Sequence, residues 1–429
     1  MNDGDETPPP TAPDEGAPRP GAERPARPRV GLVLAGGAAR GAYEVGVLEH
    51  IVEEVSRDLG YDVPLDVLCG TSVGAVNVAT LAAFADEPRS RVARLSGVWK
   101  NLRIDEMLRP RHRGVYAVGR ALFGRTPLGI AGALFESGPL AELLERNVPF
   151  ARIDEHLRAG RVQAVALSAT QIATGRTVVF VQRRHASPEP WEPTSAVVPQ
   201  VVRLRPVHAL ASAALPMLFP AVAIDGRYYC DGGLRQNIPL SPARRLGAAG
   251  VIVVNPRYRP ARGGTARGAP ELAEKAPSAL FMFGKALNAL LLDRIDNDLD
   301  RLEKINDILE AGTRRYGPDF TSELNVALGR PPEDGLRQLH TVHIRCSANV
   351  GELGADHVRA PAFQVGGVLG RIMRQLAEAE ATREADLLSY LLFDGEFAKK
   401  LIELGRSDAR SHHDELCALF ERLRTDRPG

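Results

Sequence analysis

Residues Leu65 to Ala75 read LDVLCGTSVGA and set Ser72 between Gly70 and Gly74 in a G-x-S-x-G spacing. Leu65, Val67 and Leu68 form a short apolar run of the kind a buried strand uses, and Val73 to Phe84 is an alanine-rich apolar stretch of helix length. A chain passing from strand to helix over so few residues must turn sharply, and glycines at 70 and 74 remove the side chains that would obstruct the bend. Ser72 then projects from the bend, beside the N-terminus of the following helix. An ordinary strand-to-helix turn with a serine near its cap has the same five letters, so the motif needs support from elsewhere.

Support comes from both directions. Upstream, the apolar run Val30-Gly31-Leu32-Val33-Leu34 predicts a strand, and it leads into the turn Gly36-Gly37-Ala38-Ala39-Arg40-Gly41. Tyr43 to Leu59 follows as a helix, with Val45, Leu48, Val52 and Val55 at helical spacing. Consecutive amides in Gly36 to Ala39 can form a nest at the mouth of that helix, suited to a phosphate or to a developing oxyanion. The G-x-G-x-x-G spacing of a dinucleotide fold is not met, and the P-loop lysine is absent.

Downstream, Arg91 to Leu102, Pro139 to Leu144 and Ile153 to Leu157 are expected helices. Val115 to Phe135 reads either as an apolar flap or as a pair of short buried helices. Arg161 to Ala169 and Thr177 to Val181 read as strands joined at Thr174-Gly175-Arg176, a hairpin expected at the sheet edge, with a surface loop through Pro188, Pro190 and Pro193 after it. Val207 to Leu215 is a short helix ending against Pro216, and Phe219-Pro220 leads to the strand-like Ala221 to Ile224. Asp225-Gly226 is a tight turn before the carboxylate of Asp231-Gly232-Gly233, which by itself reads equally as another turn. Pro242 to Leu246 is a helix and Gly250 to Asn255 a buried strand.

The rest of the chain is expected to be largely helical. Arg257 to Arg267 carries four arginines among Gly, Pro and Ala and reads as an exposed basic loop. Ala279 to Leu309 is the longest helical stretch, and its apolar first half suits core packing, a lipid surface or a partner subunit. After a last strand, Leu339 to Cys346, the segments Gly366 to Leu376, Arg383 to Leu392, Glu396 to Gly405 and Asp414 to Leu423 form a helical tail. Asp394-Gly395 and the polar Arg406 to His413 are expected to break that tail.

Composition bounds the rest. A chain of 429 residues can hold two or three domains of average size, or one large α/β unit with additions. With 54 basic against 53 acidic residues and a net charge of +1, nothing pulls the whole molecule toward nucleic acid or an anionic membrane. Cys69, Cys230, Cys346 and Cys417 are widely spaced, which suggests neither a disulfide framework nor a cysteine zinc site. Residues 1 to 28 hold eight prolines and almost no large apolar side chain, so they read as a disordered leader without the apolar run of a secretory signal. No apolar stretch reaches the roughly eighteen residues of a spanning helix, and the expected location is cytoplasmic or peripheral to a membrane.

Taken together, Gly36 to Gly41, Gly70 to Gly74, Ala211-Ser212-Ala213-Ala214-Leu215-Pro216 with Phe219-Pro220, and Asp231-Gly232-Gly233 resemble the patatin-like phospholipases of bacterial type. The resemblance covers roughly residues 29 to 256, and the late segment LFDGEFAKKLIELGRSDA is similar to the C-terminal part of many members. It implies a three-layer α/β/α sandwich with a mostly parallel central sheet and a helical C-terminal appendage. The expected division is a leader at 1–28, a catalytic core at 29–256, a mobile basic loop at 257–275, a long helix and final strand at 276–345, and a helical region at 346–429.

The same resemblance assigns a Ser-Asp dyad, with Ser72 as nucleophile and Asp231 as its side-chain partner. Backbone N–H groups of Gly36, Gly37, Ala38, Ala39 and Arg40 form the implied oxyanion hole. Gly70, Thr71, Val73 and Gly74 build the nucleophile elbow, and Gly232 and Gly233 complete the Asp loop. Ala38 stands where the family has a third glycine, which matters little at negative φ and brings strain at positive φ. The implied reaction is hydrolysis of a phospholipid or lysophospholipid acyl ester at a membrane or micelle surface through an acyl-serine, with no cofactor, no metal and no nucleic acid.

Leu215, Met217, Leu218 and Phe219 are candidate walls for the acyl chain, and Arg40 with the arginines of the basic loop is a candidate attractor for a lipid phosphate. His208, His340, His343, His357, His412 and His413 carry no signature of their own and read as core or surface residues. The helical tail is expected to cover the cleft, control access or form a homodimer contact. A general carboxylesterase or acyltransferase using the same pair, and a catalytically weak regulatory module, remain the alternatives to the lipid hydrolase.

Overall fold

A computed structural model describes residues 28–111, 133–184, 191, 193–258, 295–330, 335–380 and 387–425. The proline-rich leader, most of the Val115–Phe135 segment, the arginine loop beyond Tyr258 and the apolar start of the helix expected from Ala279 lie outside the described residues.

In chain order, β1 (Arg29–Leu34) is followed by α1 (Gly41–His50), which passes through a π turn into α2 (Ser56–Leu59). Next come β2 (Val67–Thr71), α3 (Val73–Ala83), α4 (Ser90–Lys100), α5 (Ile104–Met107), α6 (Gly138–Asn147) and α7 (Ala151–Arg158). β3 (Ala164–Gln171), β4 (Thr177–Arg183) and β5 (Val197–Val201) precede α8 (Pro206–Ser212), β6 (Val222–Ile224) and β7 (Arg227–Asp231). After α9 (Leu240–Arg245) and β8 (Ala248–Asn255) stand α10 (Ile295–Tyr316), α11 (Phe320–Ala327) and β9 (His340–Arg345). The C-terminal helices are α12 (Val350–Arg359), α13 (Gly367–Glu380), α14 (Leu387–Leu391), α15 (Gly395–Ser411) and α16 (His413–Thr425).

The strands form one sheet in the order β5-β4-β3-β2-β1-β8-β9, with β7 also paired to β3 and β6 to β7. From β3 to β9 the neighbours are parallel, as helical crossovers require. Strand β4 runs antiparallel to β3, and β5 runs parallel to β4. Helices cover both faces, so Val67, Leu68, Cys69, Val251, Ile252, Val253 and Val254 are fully buried in the middle layer. That double burial explains why the central strands read as unbroken apolar runs rather than alternating ones. Each fully buried Val, Leu or Ile side chain there contributes about 1.5–3 kcal/mol of hydrophobic stabilisation. The architecture is thus an α/β/α sandwich with a mixed, mostly parallel sheet and a C-terminal helical region.

Two expectations need correction. The β3–β4 hairpin is not the sheet edge, because β5 pairs outside it from Val197 to Val201. Pro199 hid that strand in the sequence, yet an edge strand tolerates a residue without an amide donor. The polar stretch from Arg406 does not break the tail until His412, since α15 runs to Ser411. Its polar side chains are used instead: Arg406 pairs with Glu49, Glu53 and Glu54 across the interface with the first helical segment.

The tail is packed hard against the core. A β-carbon on Gly405 in α15 would sit 2.1 Å from the carbonyl oxygen of Tyr43 in α1, so only glycine permits this approach. The Tyr43 hydroxyl donates to Asp408 at 2.9 Å, and the same carboxylate oxygen accepts the Ser347 amide at 2.9 Å. Among the described residues no helix is long and apolar enough to cross a membrane.

Candidate active site

Strand β3 acts as a ruler for two distant parts of the chain. Val67 to Thr71 of β2 lie opposite Ala164 to Ser168. After Thr71 the chain leaves the sheet to begin α3, and β7 takes the vacated edge with Asp231 opposite Ala169. Ser72 and Asp231 therefore follow from successive rungs on β3, although 158 residues separate them in sequence (231 − 72 − 1).

The turn at Ser72 is strained and held. Ser72 has φ 55° and ψ −125°, a region costing a residue with a side chain about 1–3 kcal/mol. Its amide donates to the Ser212 hydroxyl at 2.9 Å, and that hydroxyl donates to the Ser168 carbonyl at 2.6 Å. The Thr71 hydroxyl is anchored on the Gln236 carbonyl at 3.0 Å. A β-carbon on Gly74 would stand 2.4 Å from the Leu34 carbonyl oxygen, which explains the glycine there. Ser72 occupies the position before α3, but its side chain makes no capping hydrogen bond. The ordinary capping reading of G-x-S-x-G is therefore not what the fold uses.

Asp231 is fully buried. Its Oδ1 accepts the Gly233 amide at 2.7 Å, and its backbone is pinned by the Ala214 carbonyl and the Thr170 hydroxyl, each at 2.9 Å. Oδ2 is buried without a hydrogen-bond partner. Burial pushes the carboxyl up to about 7, while the nearby Ser72 hydroxyl and the Gly233 amide pull in the opposite direction. Ser72 and Asp231 line one small cavity together with Gly36, Gly37, Ala38, Leu215, Asn237 and Tyr390.

The glycine-rich turn forms the opposite wall of that cavity. The Gly36 amide is occupied, donating to Asn237 Oδ1 at 2.9 Å. Gly37 and Ala38 line the cavity, and Ala38, Ala39 and Arg40 form a buried 3-10 turn. Ala38 has φ 47°, so the departure from glycine carries the strain that a positive φ brings. Arg40 is 2% exposed, and its guanidinium donates to the Ser389 hydroxyl.

A larger apolar cavity opens from Ser72 and Ala38 and runs beside α3 past Val73, Val76 and Thr80. Leu95, Trp99, Leu215 and Phe219 contribute further walls around a cavity of about 60 Å³. Of the four predicted wall residues, Leu215 and Phe219 line this cavity. Met217 and Leu218 instead offer their carbonyls to the amides of Leu134 and Phe135. No histidine lines either cavity among the described residues. His208, the nearest in sequence before Asp231, accepts the Arg205 amide and is depressed to about 4 by burial.

Sequence reading missed Asn237, Ser389 and Tyr390, and it gave Ser212 no role. Each acts through a long-range contact with the turns, so no local spacing marks it. Chemically, a hydroxyl, a buried carboxylate titrating near neutrality and a turn of amides around one small space can carry nucleophilic attack on a carbonyl carbon.

Ser72, Asp231 and the Gly36–Arg40 turn lie in the part of the chain that matches a known family model: residues 32–244 match the family described as patatin-like phospholipase. The chain is 36% identical over 77 residues to lysophospholipase nte1 of Aspergillus terreus, covering 17% of this chain and 5% of that protein. It is 25% identical over 229 residues to lysophospholipase NTE1 of Cryptococcus neoformans, covering 53% of this chain and 11% of that one. The chain therefore spans about a tenth or less of the length of these curated relatives. Among solved structures, VipD from Legionella pneumophila is 12% identical with a TM-score of 0.28, covering 88% of this chain and 67% of that one. The human GIVD cytosolic phospholipase A2 in complex with methyl gamma-linolenyl fluorophosphonate is 11% identical with a TM-score of 0.40, covering 92% and 59%.

Proposed function

The chain belongs to the patatin-like phospholipase family through residues 32–244, and on that premise we propose that it is a serine lipid acyl hydrolase with Ser72 as nucleophile and Asp231 as its base. The meeting of these two residues beside an apolar cavity is the observation that carries this reading. Lipid hydrolysis is the activity typical of the family, and the apolar cavity suits the acyl chain of a phospholipid or lysophospholipid.

Asp231 takes the Ser72 proton as the oxygen attacks the ester carbonyl carbon. A carboxyl near 7 is a far better base at neutral pH than an ordinary one near 4. The tetrahedral oxyanion then rests against the amides of Gly37 and Ala38, each oxyanion donor being worth roughly 2.7–4 kcal/mol in the transition state. Collapse breaks the bond to the alcohol oxygen, which receives the proton from Asp231. Water, deprotonated by Asp231, attacks the acyl-serine and releases the fatty acid and free Ser72. Gly70 and Gly74 allow the elbow, and Gly232 and Gly233 present the carboxylate.

The test is mass spectrometric product analysis on mixed phospholipid vesicles, comparing wild type with Ser72→Ala. Fatty-acid release by the wild type and none by the variant is the expected result. Transfer of the acyl group to an added alcohol in preference to water would make the protein an acyltransferase instead. No release and no transfer by the folded wild type would end the hydrolase reading.

A further inference from the structure

The Gly36–Arg40 turn is fastened at both ends by residues far away in sequence. Asn237 holds its first amide. At the other end the Arg40 side chain leaves the turn and enters the C-terminal region, where Nε and Nη2 both donate to the Ser389 hydroxyl at 2.9 and 2.7 Å. The guanidinium carbon lies 4.2 Å from the centre of the Tyr390 ring, a cation–π distance. Ser389 is fully buried and Tyr390 is 3% exposed, so water competes for neither contact. Tyr390 also lines the cavity that holds Ser72 and Asp231.

A turn with a β-carbon residue at positive φ persists only where its surroundings over-determine it. Ala38 is such a residue, two positions before Arg40 in the same 3-10 turn. The bond from Tyr43 to Asp408 and the tight approach of Gly405 fix the C-terminal region against α1, which begins where the turn ends. The clamp therefore has a rigid anchor. Both clamping residues lie beyond residue 244, outside the family match.

We infer that Ser389 and Tyr390 are positioning residues for the reaction: by gripping the Arg40 guanidinium they hold the Gly36–Arg40 turn in the shape that presents its amides to the oxyanion. This rests on the reading of that turn as the oxyanion cradle. The C-terminal helical region is then a working part of the site, acting through Arg40 and closing one wall of the cavity with Tyr390.

The experiment uses the full chain and the variants Ser389→Ala, Tyr390→Ala and Tyr390→Phe. Two readouts are taken: hydrogen–deuterium exchange of peptides covering residues 36–41, and kcat and KM on a soluble butyryl ester. Ser389→Ala and Tyr390→Ala are expected to speed exchange of the turn amides about tenfold and to lower kcat about tenfold to a hundredfold with KM within about twofold. Tyr390→Phe keeps the ring under the guanidinium, so exchange of the turn amides should stay near wild type.

Unchanged exchange in the turn of Ser389→Ala and Tyr390→Ala would overturn the clamp, whatever the activity. A Tyr390→Phe variant whose turn amides exchange as fast as those of Tyr390→Ala would overturn the part given to the ring. A wild type that turns over no ester would sink the hydrolase reading, while the exchange comparison would still decide the clamp.

Discussion

Asn237 and Gly36 face each other in a reciprocal pair: Oδ1 of Asn237 accepts the Gly36 amide at 2.9 Å, and its Nδ2 lies 3.4 Å from the Gly36 carbonyl oxygen. The side chain sets where the glycine-rich turn begins, on the wall facing Ser72. Asn237→Ala removes the closer acceptor of a buried amide, at an expected cost of about 1–3 kcal/mol in stability. Misplacing the cradle should also lower kcat about tenfold or more. Thermal unfolding and steady-state kinetics on a soluble ester check the two parts; wild-type kcat in the variant would remove Asn237 from the account.

The pH dependence follows from Asp231. A base must be ionised, so with the carboxyl raised to about 7, kcat/KM should fall about tenfold per pH unit below that value and level off above it. Stability moves the other way. The folded-state value exceeds the unfolded one, so this group's contribution is full below the ordinary carboxylate range and is lost as pH rises through about 7. A profile of kcat/KM that is flat from pH 5 to pH 8 would speak against Asp231 as the base.

Glu44 offers a stability test away from the chemistry. Its carboxyl is fully buried in α1, accepts the Asn77 amide at 2.7 Å, and leaves Oε1 without a partner. Burial holds it well above the ordinary carboxylate range. By the same linkage, its contribution is lost as pH rises from the unfolded value toward the raised folded one. Glu44→Gln keeps the acceptor for Asn77 and has no proton to lose, so its melting temperature should exceed wild type at pH 8 by more than at pH 4. Calorimetry at the two pH values decides it; equal shifts at both would mean that ionisation is not the cause.

The apolar cavity predicts a chain-length effect. Val73, Val76 and Thr80 line it along one face of α3, over about 12 Å of helix counted from Ser72. Val76→Phe should fill the channel without touching the small cavity at Ser72 and Asp231. Activity on a palmitoyl ester is expected to fall about tenfold or more, while a butyryl ester changes by less than about threefold. Equal losses on both esters would place the acyl chain elsewhere.

Much of this architecture could be read from residue patterns, for identifiable reasons. Doubly buried strands such as β1 and β8 leave apolar runs, and the elbow at Ser72 leaves two glycines because backbone passes within van der Waals distance of Gly74. What escaped was long-range. β5 was hidden by Pro199, and α12 and α11 carried no decisive local signal. Ser212, Asn237, Ser389 and Tyr390 matter only for what they touch across the fold. The meeting of Ser72 with Asp231 was implied by a resemblance, whereas its physical cause is the shared register on β3.

The central claim is that Ser72 is the nucleophile and Asp231 its base, and covalent labelling tests it most directly. The protein is treated with a fluorophosphonate, digested, and the adduct located by mass spectrometry, with labelling rates compared between wild type and Asp231→Asn. The account predicts an adduct on Ser72 alone and a rate in Asp231→Asn lower by about a hundredfold or more. An adduct on another residue, or a folded Asp231→Asn variant that labels at the wild-type rate, would contradict it.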